Sequence, residues 1–139
     1  MAENSLEIEL ATPEQYQSFE NVKSCSATGV LGRFQVLTNH APFISQLEIG
    51  ELKIQTQDKF FFYSIGGGFL EVDDNKILLL LDSCELASDI DLERAASAKK
   101  RAEERLESKG QDIDVDRAKL ALLRALNRIK IAKKVSERV

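Results

Sequence analysis

The sequence predicts a β-plus-α chain: an N-terminal antiparallel β-sandwich or barrel of short strands over residues 1–87, then a C-terminal antiparallel two-helix hairpin over residues 88–139. Three observations carry this. All seven Phe and both Tyr lie before residue 70, the last being Phe69. Both Pro, both Cys and six of the seven Gly precede residue 88. From Ser88 onward Ala, Leu, Lys, Arg, Glu and Asp dominate, with a single Gly110. Strand and turn formers thus occupy one part of the chain and helix formers the other.

Leu6, Ile8 and Leu10 alternate with Glu7 and Glu9, the pattern of a half-buried strand. Thr12-Pro13-Glu14 turns the chain. Val22 to Ala27 and Arg33 to Leu37 read as the next strands, with Thr28-Gly29 between them and Thr38-Asn39 turning before His40-Ala41-Pro42. Leu47, Ile49, Leu52 and Ile54 predict extended pieces bent at Gly50, followed by a polar turn over Thr56 to Lys59. Phe60 to Ile65 is an aromatic strand that Gly66-Gly67-Gly68 is expected to break, through a bulge or a close backbone approach, before Phe69 to Val72 resumes it. Asp73-Asp74-Asn75 is a hairpin turn ahead of Ile77 to Asp82. At Ser88 the period changes. Leu92, Ala95, Ala96, Ala102 and Leu106 form one narrow helical stripe. Ser108-Lys109-Gly110-Gln111 predicts a stop and turn. Ala118, Leu122, Ala125, Leu126, Ile129 and Ala132 form the second stripe. Alanine-rich seams allow close approach but bury little area, so the hairpin contact is expected to be weak.

The totals narrow the function. Cys25 and Cys84 have no metal-ligand or disulfide-framework spacing and read as buried free thiols in a reducing compartment. No basic-plus-apolar leader pattern is visible, and the longest apolar run, Ile77 to Leu81, suits a buried strand. The expectation is a soluble cytoplasmic protein with no direct membrane insertion. The net charge of −4 conceals a polarised distribution. Residues 117–139 hold eight of the 19 basic and one of the 23 acidic side chains, so that segment is +7 and the rest −11. Such a segment suits nucleic acid, an acidic protein surface or phosphates, or simply a solvated helix face.

A catalytic constellation is not readable. His40 is the single histidine, and a lone histidine after a turn is more often structural or an interface residue. Gly66-Gly67-Gly68 lacks the Lys-Ser/Thr of a phosphate loop and precedes a strand. The arginines say more. In a hairpin turning near Gly110, Arg94 faces the segment between Arg124 and Arg128, which are i,i+4 neighbours. Three guanidiniums beside a helix N-terminus suit a polyphosphate. Surface ion pairs with Asp91, Glu93 and Glu85 are the alternative, and such pairs carry little energy.

Four segments resemble a known family. Gly32-Arg33-Phe34-Gln35-Val36-Leu37-Thr38-Asn39-His40-Ala41-Pro42 resembles a segment that ends in Pro-Gly-His-Ala-Pro in the epsilon subunit of bacterial F-type ATP synthase, which corresponds to the mitochondrial delta subunit. Thr38 and Asn39 replace the usual Pro-Gly. Gly67-Gly68-Phe69-Leu70-Glu71-Val72 resembles the family's Gly-Gly-Phe/Ile-Leu-Glu-Val strand, and Asp89 to Ala95 and Leu123 to Ile131 resemble its two C-terminal helices.

The resemblance implies a non-catalytic central-stalk subunit that requires no cofactor, on the cytoplasmic face of the cell membrane. It implies a β-sandwich of about ten short strands that clamps the gamma subunit and rests on the c-ring, with His40, Ala41 and Pro42 near that junction. It implies a hairpin that permits ATP hydrolysis when folded and blocks it when extended among the alpha and beta subunits, with Lys130, Lys133 and Lys134 on the inhibitory basic helix. Some members bind ATP through Ile/Leu-Asp-x-x-Arg-Ala, which stands here as Ile90-Asp91-Leu92-Glu93-Arg94-Ala95, together with residues matched by Glu85, Arg124 and Arg128. Ile113-Asp114-Val115-Asp116-Arg117-Ala118 fits the same pattern, which a helix start also produces. An independent basic-helix nucleic-acid-binding module is the alternative. Against it, the helical half has no aromatic residue for stacking and the body is acidic.

Overall fold

A computed structural model describes residues 5–108 and 114–138, with side chains described as far as Lys134. The chain divides into two compact units, Met1–Leu86 and Ala87–Val139. The first holds seven strands: β1 (Leu6–Ala11), β2 (Tyr16–Gly29), β3 (Gly32–Val36), β4 (Phe43–Thr56), β5 (Phe60–Asp73), β6 (Lys76–Leu81) and β7 (Cys84–Leu86). They run in the order β1-β6-β5-β4-β2-β3, and β1 also pairs with β2, so five of them close into a ring. β7 is added beside β5. The ladders are antiparallel except β1 with β6, which is parallel.

The short segments expected from the sequence are joined into longer strands. β2, β4 and β5 are 14 residues each and bend from one layer of the sandwich to the other. β2 pairs with β1 over Tyr16–Val22 and with β3 over Cys25–Gly29. β5 pairs with β7 over Tyr63–Ile65 and with β6 over Gly68–Asp73. The expected break at Gly66-Gly67-Gly68 is therefore corrected: β5 passes through the glycines without interruption. Gly67 and Gly68 have φ of 102° and 144°, conformations that side chains disfavour. A Cβ at Gly68 would collide with the Leu80 carbonyl. The glycines thus let one strand turn a sandwich corner.

That corner also changes the inward phase. Tyr63 and Ile65 point into the core before the glycines, and Leu70 and Val72 after them. Leu6, Ile8, Leu10, Leu52, Ile54, Ile77 and Leu79 complete its centre, with Phe19, Phe34 and Phe61 packed at the edge. Buried Glu51 pairs with Arg33 at 2.7 Å. At the β5–β6 turn Asp74 and Asn75 have φ of 51° and 61°, as a two-residue type I′ hairpin requires.

The second unit begins with a 3-10 turn over Ala87–Asp89, followed by α1 (Leu92–Glu107) and α2 (Val115–Arg138). The regular helix starts at Leu92, not at Ser88, because Asp91 is an extended N-cap whose carboxylate accepts the Arg94 backbone N–H at 3.1 Å. Buried Ala95 and Ala102 on α1 and Ala118, Ala125 and Ala132 on α2 recur at spacings of seven and form the seam. Two expected seam residues, Leu92 and Leu126, are instead 42% and 43% exposed, and Ala96 is exposed. Each lies at least 60° around its helix from the alanine row, at 100° per residue. Ile131, outside the expected stripe, is buried. The expected turn at Gly110 and helix start at Ile113 lie outside the described residues.

Candidate functional site

The first candidate site lies on the hairpin. The buried alanines recur every seven residues on both helices, so a pairing of Ala102 with Ala118 across the turn would also set Ala95 level with Ala125. Arg94 precedes Ala95 and Arg124 precedes Ala125, so in that pairing the two arginines would share a level, with Arg128 one turn further along α2. Helical periodicity decides the side. Measured from the seam at 100° per residue, Arg94, Arg124 and Arg128 all lie about 60–100° to the same edge of the hairpin. Arg101, Arg105 and Arg117 fall on that edge too, whereas Lys119 and Lys133 fall on the opposite one and Lys130 lies toward the back of α2. Arg94 and Arg124 are exposed and Arg128 is half-buried. Lys130 and Lys133 are exposed, and Lys134 is half-buried on the back of α2. Reading stripes of type alone missed Arg101 and Arg105; their angular position relative to the alanines was the available signal.

Ile90 is 8% exposed and sits just before the exposed cap Asp91. The repeated Ile-Asp-x-x-Arg-Ala pattern has a common local role. Asp91 Oδ1 accepts the Arg94 N–H, and Asp114 Oδ1 accepts the Arg117 N–H, each at 3.1 Å. The carbonyls of the same aspartates accept the Ala95 and Ala118 N–H groups at 3.0 Å. Both copies therefore start a helix, worth about 1 kcal/mol per cap. At the first copy the cap also fixes the Arg94 stem beside the positive helix end. Glu85 belongs to the other unit: it lies half-buried on β7, opposite Ser64 of β5.

The second candidate site is the loop between β3 and β4. His40 Nδ1–H donates to the Ala41 carbonyl at 2.7 Å. The His40 ring lies 5.6 Å from that of Phe43, which in turn meets Phe34 edge-on at 5.2 Å. This aromatic series ties the loop to the core edge, while Ala41 and Pro42 stay exposed. Asn39, in place of a glycine, adopts φ of 64°, which asparagine tolerates. The sequence reading missed an outer apolar patch beside this loop. Phe69 on β5 and Leu80 on β6 are direct partners, 53% and 50% exposed, and Ile44 on β4 is 67% exposed.

Among the described residues there is no group of His, Cys, Asp and Glu that could hold a metal ion, and no helix long and apolar enough to cross a membrane. Cys25 and Cys84 are free, and burial pushes both thiols up to about 12.

Comparison with known proteins agrees with this two-part design. Residues 5–87 match the family described as ATP synthase, Delta/Epsilon chain, beta-sandwich domain, and residues 88–133 match its long alpha-helix domain. The chain is 45% identical over 125 residues to the ATP synthase epsilon chain of Desulforamulus reducens, covering 90% of this chain and 95% of that one. It is 40% identical over 139 residues to the epsilon chain of Geobacter sulfurreducens, covering 99% and 100%. In fold it resembles a chain in the structure of the Euglena gracilis mitochondrial ATP synthase OSCP/F1/c-ring, with a TM-score of 0.77, 20% identity and coverage of 96% and 82%. Two family domains in order, and relatives matched over nearly their whole length, lead to one conclusion: the chain belongs to the ATP synthase delta/epsilon chain family.

Proposed function

We propose that this chain is the non-catalytic epsilon subunit of an F-type ATP synthase, a central-stalk component peripheral to the membrane on its cytoplasmic face. The observation that carries this reading is the match of both domains to relatives named ATP synthase epsilon chain. The sandwich holds the gamma subunit, for which the exposed Ile44, Phe69 and Leu80 patch offers an apolar seat. The His40-Ala41-Pro42 loop rests near the c-ring. Rotation then passes to the catalytic head through gamma and this subunit.

The hairpin is the regulatory part. Its seam is built of alanines, each burying little more than a methyl group, so opening costs little hydrophobic energy. A weakly held element is readily biased by ligands that prefer one of its states. In the extended state the basic residues Arg124, Arg128, Lys130, Lys133 and Lys134 engage acidic surface on the beta subunits and stop hydrolysis. In the folded state Arg94 joins Arg124 and Arg128 on one edge, and ATP bound there, with Ile90 and Asp91 contributing, holds the hairpin closed. ATP is a regulatory ligand in this scheme, not a cofactor. The comparisons lend no support to a nucleic-acid-binding role.

The test is reconstitution. A rotary ATPase depleted of this subunit is reassembled with the parent chain or with a variant in which those five basic residues are Gln. The variant is expected to restore coupling and to release hydrolysis from inhibition. Failure of the parent chain to bind the depleted enzyme rejects the assignment; equal hydrolysis with both chains rejects the inhibitory helix.

A further inference from the structure

The loop that carries His40, Ala41 and Pro42 is held from 36 residues away by one side chain. Asn39 N–H donates to Asn75 Oδ1 at 2.6 Å, and Asn75 Nδ2 donates back to Asn39 Oδ1 at 3.3 Å. The Asn75 carbonyl meanwhile accepts the Glu7 N–H at 2.9 Å, tying the same residue to the start of β1. Asn39 and Asn75 both have left-handed backbones, φ 64° and 61°. Each therefore turns its amide toward the other from a tight turn.

We propose that Asn75 is a positioning residue for the docking loop: its carboxamide sets the path of Thr38 to Pro42 before a partner arrives. This rests on the reading of that loop as the surface set against the c-ring. The Asn39 N–H demands an acceptor, and Asn39 Oδ1 demands a donor, which one carboxamide supplies together. Aspartate at 75 would keep the first bond and, once the Asn39 carboxamide turns over, accept a second from Asn39 Nδ2. Glycine would keep the left-handed turn and lose both bonds. The aromatic contact of His40 with Phe43 holds the far end of the loop and leaves Asn39 as the near anchor. Without the clasp, the loop must be ordered on binding, and affinity falls by the cost of that ordering.

The experiment uses the full chain and a depleted synthase retaining gamma and the c-ring. Asn75→Gly is expected to keep the melting temperature within a few degrees, because the turn geometry is preserved. Its Asn39 amide is expected to exchange with solvent at least tenfold faster, and its binding to the depleted enzyme to weaken by about tenfold. Asn75→Asp is expected to stay close to the parent chain, since its carboxylate accepts from the Asn39 N–H and from the turned Asn39 Nδ2. Unchanged exchange at Asn39 overturns the proposal. So does unchanged binding of Asn75→Gly when His40→Ala binds more weakly. If His40→Ala also binds normally while the parent chain docks, the loop is not the docking surface, and the proposal falls with the reading beneath it.

Discussion

Substituting leucine for Ala125 tests whether the alanine seam sets the hairpin equilibrium. Ala125 is 2% exposed on α2, and Ala95 on α1 is fully buried. No space lies between helices that approach on methyl groups, so three added carbons must push α1 and α2 apart or force an unfavourable rotamer. Overpacking of this kind costs about 1–3 kcal/mol, which moves the folded-to-open ratio by roughly 5- to 150-fold. Ala96 is the control, because it lies on α1 about 100° from the seam and is exposed. Leucine there changes helix propensity only slightly. The assay is amide hydrogen exchange on the full chain, read separately in α1, α2 and the core strands β5 and β6. Ala125→Leu is expected to accelerate exchange in both helices and leave the strands unchanged; Ala96→Leu is expected to do neither. In the reassembled enzyme, Ala125→Leu is expected to deepen inhibition of hydrolysis. Helices as well protected in Ala125→Leu as in the parent, or equal acceleration by both variants, would refute the seam argument.

Three other outcomes are expected. A chain ending at Ala87 should unfold in one sharp urea transition, since every residue of the sandwich core lies between Leu6 and Leu86; a broad or molten transition would count against it. Calorimetry with ATP should give heat with the parent chain, little with Arg94→Ala or Arg124→Ala, and parent-like heat with Arg117→Ala, whose Asp114 cap uses only the backbone N–H; equal losses in all three would reject the site. Burial raises the thiols of Cys25 and Cys84 from 9.0 to about 12, so between those values the unfolded chain has lost the protons that the folded chain keeps. Stability is therefore fully present below pH 9.0 and falls as pH rises toward 12, and the fall should be shallower in a Cys25→Ala, Cys84→Ala double variant followed by alkaline denaturation.

The sequence by itself determined the division of labour along the chain. Aromatic and β-branched residues punctuated by turn formers can build a closed core, and an alanine-lined amphipathic pair cannot bury much, so the division before and after the Leu86 region follows from composition. The turn at Asp73-Asp74-Asn75 was legible because two consecutive left-handed residues are the geometry such a tight hairpin needs, and so was the helix start at Asp91, although displaced by a few residues. The resemblance of the His40 and Gly67 segments carried the family. Tertiary structure decided the rest. Alternation cannot show that Tyr63 and Ile65, then Leu70 and Val72, face one core, because the phase changes across glycines whose backbone must approach Leu80. Which alanines meet, and hence that the arginines share one edge, depends on the pairing of two helices and not on either helix alone. The Asn39–Asn75 clasp joins positions 36 apart through side-chain geometry that exists only once β1, β5 and β6 have set the turn beside the loop. Local patterns report what one segment prefers; a pair of such segments is defined only by the fold that brings them together.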